Sequence, residues 1–293
     1  MTIKRLRIGA LIVAVALATS CGDKNKKKST DDGEEVRATK EETPAPKKDD
    51  DGKVRFTVKP SAAGDRFEHG SSGESGGEIK INAAVIPLKN VDKKRYTVEV
   101  LAVEDGRTVK QKVRYVEFEE KDEPPSKKAK KAPVVGKVYV IERKVDSLEI
   151  TDEAGAAVTG LELDYLKDGY KRLGKPKKFP EALAKAALVV GEDAPELGAA
   201  FAEDQHDPGD AFEVKSMRLK ERDGDIARFE YVMEGTSAEL EGAKLKVNGT
   251  LEVSISTGDK VKDGGTMTIE ASDAKSGVTL KLSGKAEDTT KRL

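Results

Sequence analysis

The chain has 293 residues, in which 53 Lys and Arg stand against 54 Asp and Glu for a formal net charge of −1. Charges this closely matched remove the whole-molecule argument for nucleic acid or for electrostatic attraction to anionic lipid. Aromatic residues are 4% of the chain and tryptophan is absent, too few for a surface built to stack bases or sugars, and a single cysteine leaves no intrachain disulfide to form.

That cysteine, Cys21, ends an N-terminal segment with the order charged, apolar, small. Lys4, Arg5 and Arg7 come first, an apolar run extends from Ile8 to Leu17, and Ala18, Thr19 and Ser20 lead into Cys21. This is the order of a secretory signal peptide, and the run is shorter than the ~20 apolar residues that cross a bilayer. Leu17-Ala18-Thr19-Ser20-Cys21 resembles the lipobox of bacterial lipoproteins. The resemblance implies removal of residues 1–20, a diacylglycerol on the Cys21 sulfur, an acyl chain such as palmitate on its new amine, and a membrane as partner. Two or three such chains hold far longer than one, at ~0.8 kcal/mol per buried CH₂. In sorting between two membranes, aspartate directly after the cysteine is associated with inner-membrane retention. Gly22 stands there and Asp23 follows, so the resemblance points to the outer membrane, facing the periplasm.

From Gly22 to Lys53 the chain is Lys, Asp, Glu, Ser, Thr and Pro, with Val36 its one sizeable apolar residue. Such a segment buries too little to offset its ordering entropy and reads as a disordered tether over 21–53, spanning roughly 30 Å on average.

The remainder, 54–293, reads as one folded unit: a β-rich half over 54–158, a helical insert over 159–210 and a second β-rich half over 211–293. Side-chain parity sets the hairpins. Asp105-Gly106 as a two-residue loop places Tyr96 opposite Tyr115, Val98 opposite Val113, Ala102 opposite Val109 and Glu99 opposite Lys112. A four-residue loop over 274–277 places Ile269 opposite Leu282, Ala271 opposite Leu280 and Glu270 opposite Lys281. A three-residue loop, Asp223-Gly224-Asp225, matches Leu219 to Phe229, Met217 to Tyr231 and Arg218 to Glu230. Asn248-Gly249 would mix the faces as a tight turn. Leu245, Val247, Leu251, Val253 and Ile255 share one parity, so a single long strand is expected, with Gly249 at a bend or bulge.

Pro180-Glu181 opens a short helix carrying Leu183, Ala187 and Leu188; a second is centred on Leu197 and Phe201, and Leu161 to Leu173 holds a third. Glu119 to Pro133, with four lysines between Lys127 and Lys131, reads as an exposed loop. The expected fold is mainly β (α+β): a curved antiparallel sheet, half-barrel or sandwich, with the helices packed on it. That outline is similar to secreted all-β lipid carriers and envelope chaperones of the lipoprotein-carrier type.

Candidate chemistry is sparse. Gly73-Glu74-Ser75-Gly76-Gly77 matches G-x-S-x-G in letters, but Gly70 to Gly77 reads as a Gly/Ser loop feeding a strand from Glu78 to Ile86, not as a strand-to-helix elbow. The two histidines are His69 and His206. His206 lies among Asp204, Asp207 and Asp210, a weak set of metal ligands whose spacing fits neither an EF-hand nor a two-histidine zinc helix, and Pro208-Gly209 marks a turn. No catalytic residue and no cofactor are expected. The reading is a lipid-anchored, non-catalytic envelope protein for binding or assembly. The alternative is a carrier or sensor of an apolar ligand in a concave sheet, and a third is a divergent hydrolase using Ser75 or His206.

Overall fold

The computed structural model describes residues 52–124, 134–205, 211–236, 243–273 and 277–293. Cys21, the tether up to residue 51, the 127–131 lysine run, His206, Asp207 and Asp210 lie outside them. The elements in chain order are β1 (Val54–Arg55), β2 (Arg66–Ile81), β3 (Ala84–Glu104), β4 (Arg107–Glu123), β5 (Val138–Arg143), β6 (Leu148–Asp152), α1 (Gly160–Gly169), α2 (Lys178–Leu183), β7 (Ala187–Leu188), α3 (Pro195–Gln205), β8 (Ala211–Asp223), β9 (Ile226–Thr236), β10 (Lys244–Ser254), β11 (Lys260–Asp273) and β12 (Val278–Arg292).

Ten strands form one open antiparallel sheet in the order β6-β5-β4-β3-β2-β12-β11-β10-β9-β8, and β1 pairs with β7 apart from it. The fold is mainly β, as expected, and the sheet does not close into a barrel. Every neighbour in it is also a neighbour in sequence except at the centre. There β2 pairs with β12 from Phe67 opposite Arg292 to Ile81 opposite Val278. Both terminal strands of the sheet are partly covered: Gly191 and Ala194 donate backbone hydrogen bonds to Leu219 and Met217 of β8, and Val158 donates to Ile150 of β6.

Parity correctly sets the hairpin faces. Tyr96 is opposite Tyr115, Val98 opposite Val113 and Glu99 opposite Lys112; Ile269 is opposite Leu282, Ala271 opposite Leu280 and Glu270 opposite Lys281. Val98, Val113, Ile269 and Leu282 are buried. Asp105 and Gly106 have φ of 48° and 74°, the left-handed backbone of a tight hairpin turn. Two details differ. Ala102 meets Lys110, not Val109, because the ladder shifts on both sides of it. The turn after β8 has two residues, Gly224 and Asp225; the third residue is absorbed by a shift between Leu219 and Glu221, which restores Leu219 to Phe229 and Met217 to Tyr231.

Other expectations are overturned. Gly70 to Gly77 is not a loop but the middle of β2, hydrogen-bonded between β12 and β3, where two flanking ladders override its weak strand propensity. Glu78 to Ile86 is not one strand, since the chain reverses at Asn82-Ala83, with Asn82 at φ 54°. Glu119 to Glu123 continues β4 opposite Lys89 to Lys93, and Ala187-Leu188 leaves the helix to form β7 with Val54 and Arg55. β10 is the long strand foreseen, with Leu245, Val247, Leu251 and Val253 buried on one side. Gly249 is not a bulge: its register is continuous, and the shift comes between Glu252 and Val253. Glycine is needed there because the Tyr231 ring lies over it, and a Cβ would stand 2.2 Å from the ring's Cζ.

All three helices pack on the face that buries these apolar residues. α2 and α3 bring Phe179, Leu183, Leu197 and Phe201 onto Met217, Leu219, Phe229 and Tyr231, together with Val54 and Phe56. α1 brings Leu166 onto Val113, Tyr139 and Ile141. Its approach is fixed by Glu162, which accepts from the Tyr139 hydroxyl at 2.6 Å and pairs with Lys137. A third cluster, with Leu245, Ile269, Leu280 and Leu282, fills the end near the β2–β3 turn.

Gly249→Ala should therefore lower stability by about 1–3 kcal/mol through overpacking. Much of that loss should vanish in a Tyr231→Ala background, as read from denaturant midpoints; an equal loss in both backgrounds would mean that the ring is not the obstacle.

Candidate functional site

Alternation decides which side chains of the central strands turn toward the helices, and here the apolar run breaks. In β12 the parity of Leu280 and Leu282 continues through Gly284, Ala286 and Asp288. In β3 the parity of Val98 leads back through Tyr96, Lys94, Asp92 and Asn90. Register lines these up across the sheet: Asp263 opposite Asp288, Asp288 opposite Ser71, and Ser71 opposite Lys94. Two residues along, the row is Gly265, Ala286, Gly73, Asp92 and Glu120. The result is a buried polar band between the two apolar flanks.

Its charges are deeply placed, with Asp263 2% and Asp288 1% exposed. Burial pushes the Asp288 carboxyl well above the usual carboxylate range, against the Ser71 hydroxyl and the Lys94 ammonium, which favour its charge. Burial also raises Asp263, against Lys260 and the Tyr231 hydroxyl, which donates to its Oδ1 at 3.0 Å. Asp92 is raised by burial against Lys94, and Lys94 is lowered by burial against Asp288, Asp92 and Glu120. Ser75 Oγ, Asn90 Oδ1 and Asp92 Oδ1 are buried with no hydrogen-bond partner among the described residues, while Asn90 Nδ2 donates to Asp122 at 2.7 Å. Gly73 makes room for the band: a Cβ there would stand 2.4 Å from Asp92 Oδ1. Among the described residues no group of three or more His, Cys, Asp or Glu is placed to hold a metal ion.

The residues singled out from sequence fall apart in space. Ser75 and His69 are on the same strand, six residues and so roughly 20 Å apart, too far for a nucleophile and its base. His69 stacks between Phe67 and Tyr96, with ring centroids 6.1 and 4.9 Å away, in a row that continues to Tyr115. Burial and the nearby Lys177 push its pKa down to about 3. Asp204, the described member of the acidic set around His206, holds a helix start instead: its carboxylate accepts from the backbone N–H of Lys178 at 2.8 Å and of Phe179 at 3.0 Å.

A cleft of about 1180 Å³ crosses the strands, lined by short segments of β2, β3, β8, β9, β10, β11 and β12, with Glu119 of β4. Its exposed side chains alternate with the buried row of Met217, Tyr231 and Asp92, so they point away from the helices. The middle is small and polar, with Ser72, Thr250, Gly264 and Thr266; the charged lining has both signs, as in Glu74, Lys93, Arg218 and Glu230. These charges are paired across strands, for example Arg218 with Asp193 at 3.0 Å and Lys262 with Glu287 at 2.7 Å. The sequence signal for both features was available in β3, where Asn90, Asp92 and Lys94 share the parity of Val98. It is legible once the Asp105-Gly106 register is carried past Tyr96.

No family model matches the chain, and no curated protein matches it in sequence. Among solved structures, lipovitellin is similar at 7% identity and a TM-score of 0.36, over 80% of this chain and 25% of that one, so this chain spans about a quarter of lipovitellin. A DUF1329 family protein from Desulfovibrio piger is similar at 10% identity and a TM-score of 0.16, covering 73% of this chain and 83% of that one. A putative outer membrane lipoprotein-sorting protein domain from Vibrio parahaemolyticus is similar at 10% identity and a TM-score of 0.20, covering 79% and 86%.

The neutral His69 supplies stability that is present above the ordinary histidine value of 6.5 and is lost as pH falls toward about 3, because the unfolded chain binds the proton first. The buried aspartates act in the opposite sense: their contribution is full below 3.8 and is lost as pH rises through their raised values. The stability difference between wild type and His69→Phe should thus change below pH 6.5 by up to about 1.4 kcal/mol per unit, against wild type. A pH-independent difference would refute the neutral imidazole held between the rings.

Lys94→Met should cost about 3–5 kcal/mol by leaving buried carboxylates without their cation. The double variant Lys94→Met/Asp288→Asn should regain much of this in urea titrations at pH 7. Equal losses in the single and double variants would show that Lys94 acts by packing alone.

Proposed function

We propose that the protein is a lipid-anchored, non-catalytic binding protein of the bacterial cell envelope, and that the cleft across its sheet takes an extended, polar polypeptide segment. The anchor is Cys21, the tether is 21–53, and the location is the periplasmic side of the outer membrane in a two-membrane cell. The cleft carries the reading. Eight strands at ~4.8 Å spacing make it roughly 30 Å long, the length of about nine residues of extended chain. Its lining offers donors, acceptors and both charge signs with little net charge, which suits a mixed-charge peptide better than a polyanion. Tyr231 is its single aromatic residue, so it lacks a stacking platform for sugars or bases.

Support for a non-catalytic role comes from the separation of Ser75 from His69 and from the structural use of Asp204. An apolar-ligand carrier would need an enclosed apolar cavity, whereas this cleft is open and its side chains are mostly charged or hydroxylic, with carbon stems making up much of its surface.

The test is co-purification of the full chain from envelope extracts, read by native mass spectrometry. A bound polypeptide that Thr250→Trp displaces by filling the cleft floor is the expected result; a co-purifying lipid would transfer the protein to the carrier class. Separately, Cys21→Ser should abolish acylation and release the protein from membranes. Serine variant still sedimenting with membranes after a high-salt wash would sink the anchor.

A further inference from the structure

We propose that the tip of the β2–β3 hairpin is a lipid-touching element that dips into the headgroup and acyl boundary of a bilayer. Every residue from Lys80 to Pro87 is exposed, and between them only Asn82 is polar: Ile81, Ala83, Ala84, Val85, Ile86 and Pro87 are apolar. Val85 is 54% exposed. Lys80 is opposite Val85 and Ile79 opposite Ile86, so Val85 and Ile86 project from opposite faces and the tip is apolar on both. A folded partner docking on one side would cover one of these faces. A fluid apolar medium covers both.

Strand addition by another protein is the competing use of such an edge. β4 pairs with β3 only from Lys89 onward, so among the described residues 84–88 are paired with β2 on one side and with no strand on the other. Pro87, however, has no N–H to give to an added strand, a feature of edges kept from pairing. Lys80 and Lys89 stand at the base of the tip on half-exposed stems, paired with Glu78 at 2.9 Å and Glu74 at 3.8 Å, surface pairs that headgroup phosphates can replace. The tip is also held firm. Ile79 and Leu88 pack on Leu280, Leu282 and Ile269 below it, and Asn82 N donates to Gly277 O at 3.1 Å.

From the start of β2 to the tip is roughly 50 Å, within the roughly 110 Å that residues 21–53 reach when extended. The proposal takes from the Cys21 reading only the nearness of a bilayer.

The chain lacks tryptophan, so Val85→Trp provides a sole indole reporter, and Val145→Trp, at a position 95% exposed in the β5–β6 turn, is its control. Each full-length variant is mixed with phosphatidylcholine and phosphatidylglycerol vesicles bearing brominated acyl chains. The indole at 85 should shift to shorter wavelength and lose intensity to the bromines, and the indole at 145 should do neither. Emission at 85 that stays water-like overturns the proposal. So does a blue shift without bromine quenching, as a second copy or another protein over the tip would give. Failure of Cys21 anchoring shows instead as release in sedimentation, on which quenching at saturating lipid does not depend, so the two readings fail separately.

Discussion

The pairing of β2 with β12 is the constraint on which the rest of the molecule depends. Each half of the sheet is a meander whose neighbours in space are neighbours in sequence, and either could form from local hairpins alone. Only the seam, which sets residues 67–81 against 278–292, makes them one sheet. Its closure must bring together segments separated by most of the chain, a loss of loop entropy that no local contact offsets. The C-terminal end of the seam is fastened by Arg292, which donates to Asp65 at 2.8 Å and to Asp259 at 3.0 Å and lies over the Phe67 ring at 4.9 Å.

The seam also explains where the polar band falls. Both flanks have helices to cover them with Leu, Phe and Tyr, while the strands at the middle carry Gly, Ala and Ser toward the interior. Small residues let strands and neighbouring side chains come close, as Gly73 does for Asp92 and Gly249 for Tyr231. The same band holds Asp92, Lys94, Asp263 and Asp288 in a low-dielectric interior, where ionised groups are costly and only mutual pairing or proton uptake reduces the cost. A core of this composition favours a unique register over maximal stability, since a one-residue slip would turn these charges outward and bring Glu74, Lys93 and Glu287 in.

The surfaces available for binding follow from the same alternation. Long strands with polar residues on one parity and apolar or small residues on the other give a helix-covered side and an open side, and the open side carries the cleft. At the β2–β3 turn the alternation lapses and both parities become apolar. The cleft and the tip are thus separate consequences of one pattern, kept in one place and broken in another.

How much was legible in the sequence varies with the range of the interaction. Where hairpin partners are close in the chain, as with Val98 and Val113 or Ile269 and Leu282, parity and turn chemistry were sufficient, because a mispaired register would put Lys or Glu opposite an apolar residue. The helix around Leu197 was likewise visible from the spacing of Leu197 and Phe201, and the one expected within 161–173 forms over Gly160–Gly169. The Gly70–Gly77 segment was misread because its strand conformation comes from two neighbours, one of them two hundred residues away. The buried band was in the sequence as parity but had no meaning until the seam placed β12 beside β2. Composition and order of residues by themselves determined a mainly β chain with short helices, its local hairpins and the signal-like segment before Cys21. Tertiary structure alone decided that the glycine-rich stretch is the centre of the sheet, that Asp204 caps a helix and that His69 is half-buried between aromatic rings, since each depends on a partner that sequence spacing does not reveal.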